Sequence, residues 1–249
     1  MFSFLYNTFF YNPLYNGLVF FIDILPTADV GLAVVLLTLV VKLLLFPLSQ
    51  KAIETQIKLK GVQAEIDEIK KLYKDNKEEQ AKAIMEVYRK HKVNPFAGFL
   101  TLLIQIPLVL ALYFIFAKGG LPMIRAELLY SFISIPDSPN MLFLGLISMS
   151  ERSVLLAVLV GISQFFQAKL SFAEMPMFNE KPKSGAGPSF KTDLMKGMQL
   201  QMRYILPIIM TVFSLSLIAV VPLYWFVGNL FMIGQEIYFR KIRLRNEKI

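Results

Sequence analysis

Between Asp29 and Lys51 the chain runs from Val30 to Gln50 with a single charge, Lys42. A helix of about 20 apolar residues crosses the ~30 Å hydrocarbon core of a bilayer, so this run has the length of a span. An ammonium inside such a span costs about 2.5–3.5 kcal/mol on insertion scales. It must either snorkel to the headgroups or face water inside the protein.

The rest of the chain belongs to the same physical class. Of its 249 residues 55% are hydrophobic, and they fall in long runs, which points to an all-α polytopic membrane protein. Five spans are expected, over about 29–49, 95–117, 152–173, 201–218 and 220–239. The last two come from one apolar tract, 201–239, which as a single helix would be ~58 Å long at ~1.5 Å per residue. It is therefore expected to fold back near Ile218–Pro222. Residues 1–28 are aromatic-rich, are interrupted by Asn12-Pro13 and Pro26, and suit an amphipathic segment lying on the outer membrane surface. A sixth span over 4–25 is the competing reading.

Charge gives the orientation. Lys51, Lys58, Lys60, Lys70, Lys71, Lys74, Lys77, Lys82, Arg89, Lys90 and Lys92 lie between the first two spans. Lys169, Lys181, Lys183, Lys191, Lys196 and Arg203 surround the loop after the third, and Arg240, Lys241, Arg243, Arg245 and Lys248 fill the tail. Lys118, Arg125 and Arg152 are the basic residues of the other side. The positive-inside rule then puts both polar loops and the C-terminus in the cytoplasm and the N-terminus outside. The first residues carry neither a basic n-region nor a small-residue cleavage site, which favours a bacterial plasma membrane.

Residues 51–92 read as a helical hairpin. Ile53, Ile57, Val62, Ile66, Ile69 and Tyr73 form one thin apolar stripe, and Ile84, Val87 and Tyr88 its partner, with the turn at Lys74–Lys77. Such a hairpin is either a solvated spacer or a docking arm for the membrane surface, ribosomal RNA or a nascent chain. Residues 174–200, with Lys183-Ser184-Gly185-Ala186-Gly187-Pro188, have the composition of a flexible linker.

Enzyme chemistry finds little support. There is no cysteine, no phosphate-cradling GxxxxGK[ST] loop, and one histidine, His91, which alone makes no metal site. No cofactor is called for. Ion-coupled transport would want several ionisable groups at membrane depth, a weak fit to Lys42 with Lys169, Arg203 and Glu236 near span ends.

What the spans do carry is a set of short polar stripes. Thr38 and Lys42, Thr101 and Gln105, and Trp225 and Asn229 are each spaced i, i+4, while Ser163, Gln164 and Gln167 share the third span and Gln235 follows in the fifth. Each alone has an ordinary explanation, since polar side chains bond between helices and a lone Trp marks an interface. Together they suit one wet cavity around the ammonium.

The order of several short patterns resembles the YidC/Oxa/Alb family of membrane protein insertases over nearly the whole chain. They are Phe46-Pro47-Leu48, Tyr88-Arg89-Lys90-His91-Lys92-Val93-Asn94-Pro95 with Gly98, Leu103-Ile104-Gln105-Ile106-Pro107, and Phe143-Leu144-Gly145. Gly161-Ile162-Ser163-Gln164, Leu206-Pro207-Ile208-Ile209-Met210 and Leu223-Tyr224-Trp225 with Gln235 complete them. The resemblance implies a bacterial YidC-type protein in its short form, without a large periplasmic domain. It also implies a monomeric five-span insertase and chaperone whose hydrophilic groove opens to cytoplasm and lipid and closes on the outer side. Thr38, Lys42, Thr101, Gln105, Gln164, Gln167, Trp225 and Asn229 would line that groove, with Lys42 as the positive centre that attracts acidic residues of a substrate tail. Several family members have arginine at that position; lysine keeps the charge and loses the planar fork. Phe99 and Thr101 also depart from a frequent Cys and Pro, and Ala64 and Ile218 from frequent prolines. The implied partners are nascent membrane proteins and the bilayer, with the ribosome and a Sec translocon as further contacts. A small channel or transporter, or an assembly chaperone that binds without inserting, are the alternatives.

Overall fold

A computed structural model describes residues 2–74, 76–94, 97–117, 121–173 and 204–246 of the chain. The first helical segment runs through α1 (Phe2–Tyr6), a π-turn (Asn7–Tyr11) and α2 (Asn12–Ile24). The break expected at Asn12-Pro13 does not occur. Pro13 lies in the first turn of α2, where its missing N–H is no loss, and the Asn12 N–H reaches back to the Asn7 carbonyl across the wider turn. Tyr15, Leu18, Val19 and Ile22 recur at helical spacing and are fully buried, packed largely against α3.

Helix α3 (Val30–Leu44) carries the apolar run with Lys42 in its last turn. The expected straight span over 29–49 is instead broken at Leu45, and α4 (Phe46–Gly61) leaves at 57° to α3. Pro47 explains the break: it cannot donate to the Leu43 carbonyl and its ring collides with that oxygen. Helix α4 then packs along α7. The expected first arm of the hairpin is thus interrupted at Val62, and the compact pair is α5 (Gln63–Leu72) with α6 (Lys77–Lys90). Val62, Ile66 and Val87, with Ile69, Ile84 and Tyr88 against them, form its small apolar seam. Asn76 caps α6 by accepting the Glu79 N–H at 3.2 Å. At the other end the exposed Glu65 carboxylate accepts from Lys90 at 2.9 Å and meets His91 Nε2 at 2.8 Å. The Lys90 ammonium, followed by His91, holds the Glu65 carboxyl below the usual carboxylate range.

Helix α7 (Ala97–Ala117) and α8 (Val154–Ala173) lie where the second and third spans are expected. The chain between them forms a 3-10 turn (Ala126–Leu128) and a two-residue hairpin, β1 (Leu142–Phe143) with β2 (Ile147–Ser148), in which Leu142 faces Ser148. Helix α9 (Leu206–Leu215) follows a π-turn at Tyr204–Ile205 and ends three residues before the end of the span expected over 201–218. The fold-back occupies 216–219, and Pro222 falls in the first turn of α10 (Val220–Asn246), a position it tolerates. Among the described residues α8 and α10 are each long and apolar enough to cross a membrane, and α3 with α4 makes a third if the bent pair is one span. Shorter apolar helical stretches cover Leu103–Ala117 and Leu206–Leu215. The linker read over 174–200 lies outside the described residues, as do 201–203 and 247–249; for 240–246 the helical backbone alone is described.

The segment between α7 and α8 is clamped over the start of α3 by one carboxylate. Asp29 is buried; its Oδ1 accepts the Leu32 N–H at 2.9 Å, capping α3, and its Oδ2 accepts the Leu144 N–H at 2.7 Å. That second bond holds Leu144 at φ 53°, a left-handed conformation that costs a leucine energy. Val30 and Ala28 exchange backbone bonds with Asn140, and Phe143 packs so closely on Gly31 that no side chain would fit there. Buried Asn16 ties α2 to the same segment, donating to the Leu128 carbonyl at 2.9 Å and accepting the Tyr130 N–H at 2.6 Å. Polar bonds thus tie this segment to the starts of α2 and α3 and satisfy backbone groups that would otherwise be buried unpaired.

Replacing Asp29 by alanine removes a helix cap and a second buried acceptor at once. The expected loss is about 1–3 kcal/mol, read as a lower unfolding midpoint of the detergent-solubilised protein on heating. An unchanged midpoint would show that the clamp contributes nothing.

Candidate functional site

Three helices converge on the Lys42 ammonium. From the last turn of α3, Nζ donates to Gln105 Oε1 of α7 at 3.3 Å, and Gln105 Nε2 donates to the Tyr224 hydroxyl of α10 at 3.0 Å. The third contact comes from a missing side chain: a Cβ at Gly228 would lie 3.0 Å from Lys42 Cε and 3.4 Å from Nζ. Tyr224 and Gly228 are one turn apart on α10, so a single face of that helix receives both the amide and the ammonium. Among the described residues Gln105 is the hydrogen-bond partner of Lys42, and no carboxylate lies within ion-pair distance of it. An ammonium has three donors, so two are left for water or for an incoming anion.

The break after Leu44 gives the charge part of its support. A helix end exposes carbonyls equivalent to about half a negative charge, and a cation in the last turn gains ~0.3–1 kcal/mol, up to ~2 when partly buried. Had α3 run on to residue 49, Lys42 would sit in mid-helix without that field. Neither the helix end nor a neutral amide cancels a full charge.

The remaining candidates divide between places. Thr38, one turn before Lys42, is buried and spends its hydroxyl on the Val34 carbonyl at 2.6 Å. Thr101 lies on α7, but its side chain is outside the described residues. Gln164, Gln167 and Asn229 do not reach Lys42; they belong to a second polar seam between α8 and α10. There Gln164 donates to Gln167 at 3.1 Å, Gln167 to Ser171 at 3.1 Å, and Ser171 to Glu236 at 2.7 Å. Asn229 Nδ2 donates to Ser163 Oγ at 3.1 Å in the same interface. Trp225, half-buried, packs its ring at 5.9 Å and a 34° tilt against Phe213 of α9. Helix α10 is thus two-sided: Tyr224 and Gly228 face α3 and α7, while Trp225 and Asn229 face α9 and α8.

The sequence gives no assignment to the site for Tyr224, Gly228, Ser171 or Ser49; Gln235, named above in the fifth span, is buried and its Nε2 donates to Ser49 Oγ at 2.8 Å. A signal existed for one of them: Ser171 follows Gln167 by one turn. An apolar groove of about 420 Å³ also runs along α8 and α10, lined by Ile162, Ser163, Phe166, Lys169, Leu230 and Ile237 among others.

With this geometry in hand, the chain can be set beside known proteins. Residues 21–247 match the family model described as 60Kd inner membrane protein. The Membrane protein insertase YidC of Shewanella halifaxensis is 32% identical over 224 residues, which cover 90% of this chain and 35% of that protein. The protein of the same name from Magnetococcus marinus is 33% identical over 229 residues, 92% of this chain and 35% of the relative. For that of Wolinella succinogenes the values are 32% over 211 residues, 85% and 33%. The chain spans about a third of the length of these curated relatives.

A double-mutant cycle tests the α8–α10 seam. Ser163→Ala, Asn229→Ala and the pair, unfolded in bicelles, should show a coupling of about 0.6 kcal/mol, the usual size for a hydrogen bond between spans. Additive losses would mean that the two side chains do not bond in the membrane.

Proposed function

The chain belongs to the 60Kd inner membrane protein family, and on that footing we propose that it is a membrane protein insertase and chaperone of the bacterial inner membrane. Its work is physical and needs neither covalent chemistry nor a cofactor. A polar group carried into hydrocarbon loses its water at a cost of several kcal/mol, which is the barrier an inserting tail must cross. A wet recess at the Lys42 end of α3 shortens the dry path, and the ammonium offsets the penalty for acidic groups passing beside it. The observation that carries this reading is the ammonium of Lys42 held between α3, α7 and α10 with a neutral amide as its partner. A cation left without a counter-charge at membrane depth has spare affinity for an anion, where a completed ion pair would have little.

The substrates are nascent membrane proteins whose translocated tails are short and carry Asp or Glu. Their apolar segments leave sideways into lipid along the α8–α10 groove, driven by their own burial. In this reading the core has five spans, works as a monomer, and has its N-terminus outside and its C-terminus in the cytoplasm. The groove opens to cytoplasm and lipid, and the Asp29 clamp closes the outer end. The basic hairpin of α5 and α6 and the basic tail offer contacts to the ribosome, since phosphate-rich RNA attracts Lys and Arg. A Sec translocon is the remaining partner of the reading.

Reconstituted into proteoliposomes, the wild-type chain should insert an acidic-tailed single-span substrate better than a neutral-tailed one. Lys42→Ala should lower that ratio by about tenfold, the equivalent of ~1.4 kcal/mol, and Lys42→Arg should keep it. If the alanine variant retained the wild-type ratio, the electrostatic role of Lys42 would be lost.

A further inference from the structure

We propose that Tyr224 is a positioning residue: through the Gln105 amide it keeps the Lys42 ammonium turned into the bundle against Gly228, and so sets how strongly the chain prefers acidic tails. The inference rests on the insertase reading and goes one residue beyond it. Tyr224 need not touch the substrate; it acts on the residue that holds the charge.

The chemistry of the three groups fixes their order. A lysine ammonium donates and never accepts, so the end of the Gln105 amide that faces it must be the carbonyl. The NH2 end then points away and needs an acceptor of its own. Gln105 lies between Ile104 and Ile106 in an apolar helix, where an unpaired amide N–H costs several kcal/mol. The Tyr224 oxygen supplies that acceptor at 3.0 Å, on a ring that is 1% exposed and packed in the main core. With the hydroxyl in place, one amide orientation satisfies both neighbours. Without it, the NH2 has no partner at that end and the amide is free to swing.

Gly228 is the other half of the cradle. Because it has no Cβ, the α10 backbone approaches the end of the Lys42 side chain closely, and an added methyl at 3.0 Å from Cε would make that side chain give by a few tenths of an ångström. Lysine has a long flexible stem and snorkels when nothing holds it. Three apolar residues, the exposed Leu43 and Leu44 and the half-buried Leu45, lie between Lys42 and Phe46 at the bend, so the headgroup region is within reach of a released ammonium. Gln105 pulls the side chain in, Tyr224 keeps Gln105 turned correctly, and Gly228 leaves the space.

Tyr224→Phe keeps the ring and its packing and removes only the oxygen, which separates positioning from structure. The full chain would be reconstituted in liposomes and treated, with no substrate present, with a water-soluble amine-acylating reagent, and labelling of Lys42 would be quantified by peptide mass spectrometry. Insertion of acidic- and neutral-tailed substrates would be compared in the same vesicles. Tyr224→Phe should raise Lys42 labelling about threefold or more and lower the acidic-to-neutral ratio by a similar factor. Gly228→Ala, which displaces the ammonium from the other side, should raise labelling too and decides the matter if the phenylalanine variant fails to fold. Wild-type labelling and a wild-type ratio in folded Tyr224→Phe would overturn the proposal. Should Lys42→Ala leave the ratio unchanged, the insertase reading fails by itself, and the labelling still decides whether Tyr224 positions the ammonium.

Discussion

The site depends on keeping one ammonium in an apolar place with, among the described residues, no carboxylate within ion-pair distance of it. Pairing Lys42 with Asp or Glu would have been the ordinary solution, and a completed pair would have little left to offer a third charge. The chain uses weaker supports. The proline-induced break after Leu44 turns residues 41–45 into a helix end whose carbonyls favour a cation. One neutral amide accepts one of the three ammonium protons, and a glycine lets the neighbouring backbone approach. Each is worth a fraction of an ion pair. Their sum holds the side chain while leaving most of its charge unspent.

Helix α10 organises the rest, because its two faces keep two kinds of polarity apart. One face carries the buried Tyr224 and Gly228 toward α3 and α7. The other carries Asn229 and, further along, Glu236 toward the ladder of Gln164, Gln167 and Ser171 on α8. The ladder spends its polar groups on each other, so it fastens helices; the Lys42 cluster spends fewer, so it has donors to give. At the end marked by Asp29, the buried Asp29 and Asn16 side chains accept three backbone N–H groups and Asn16 donates to the Leu128 carbonyl, which suits a rigid cap.

Much of this was legible in the sequence, and the failures have physical causes. Apolar runs place α7 and α8 well, because length against bilayer thickness is a strong constraint. The fold-back before α10 follows from the excess length of 201–239 in the same way. Lys42 and Gln105 stand out as polar residues in apolar runs, and the structure brings them together. The break at Leu45 was missed because hydropathy does not see a proline's effect on the turn before it. At Pro13 the opposite error arose, since a proline in a helix's first turn breaks nothing. For Gln164, Gln167 and Asn229 spacing tells which residues share a face of one helix, and not which hydrogen-bond partners that face meets; these three bond within the α8–α10 seam. Tyr224 and Gly228 were invisible as site residues because a buried Tyr reads as core, and a glycine matters here for an atom it lacks.

The central claim is that the charge at position 42 acts by its sign. The most direct measurement is a charge exchange in proteoliposomes: Lys42→Glu assayed against paired single-span substrates, one with its acidic tail and one with the tail acids replaced by lysines. The wild-type preference should reverse, so that the glutamate variant inserts the lysine-tailed substrate more efficiently than the acidic one. A glutamate variant that still prefers the acidic tail, or that inserts both alike while remaining folded, would contradict it.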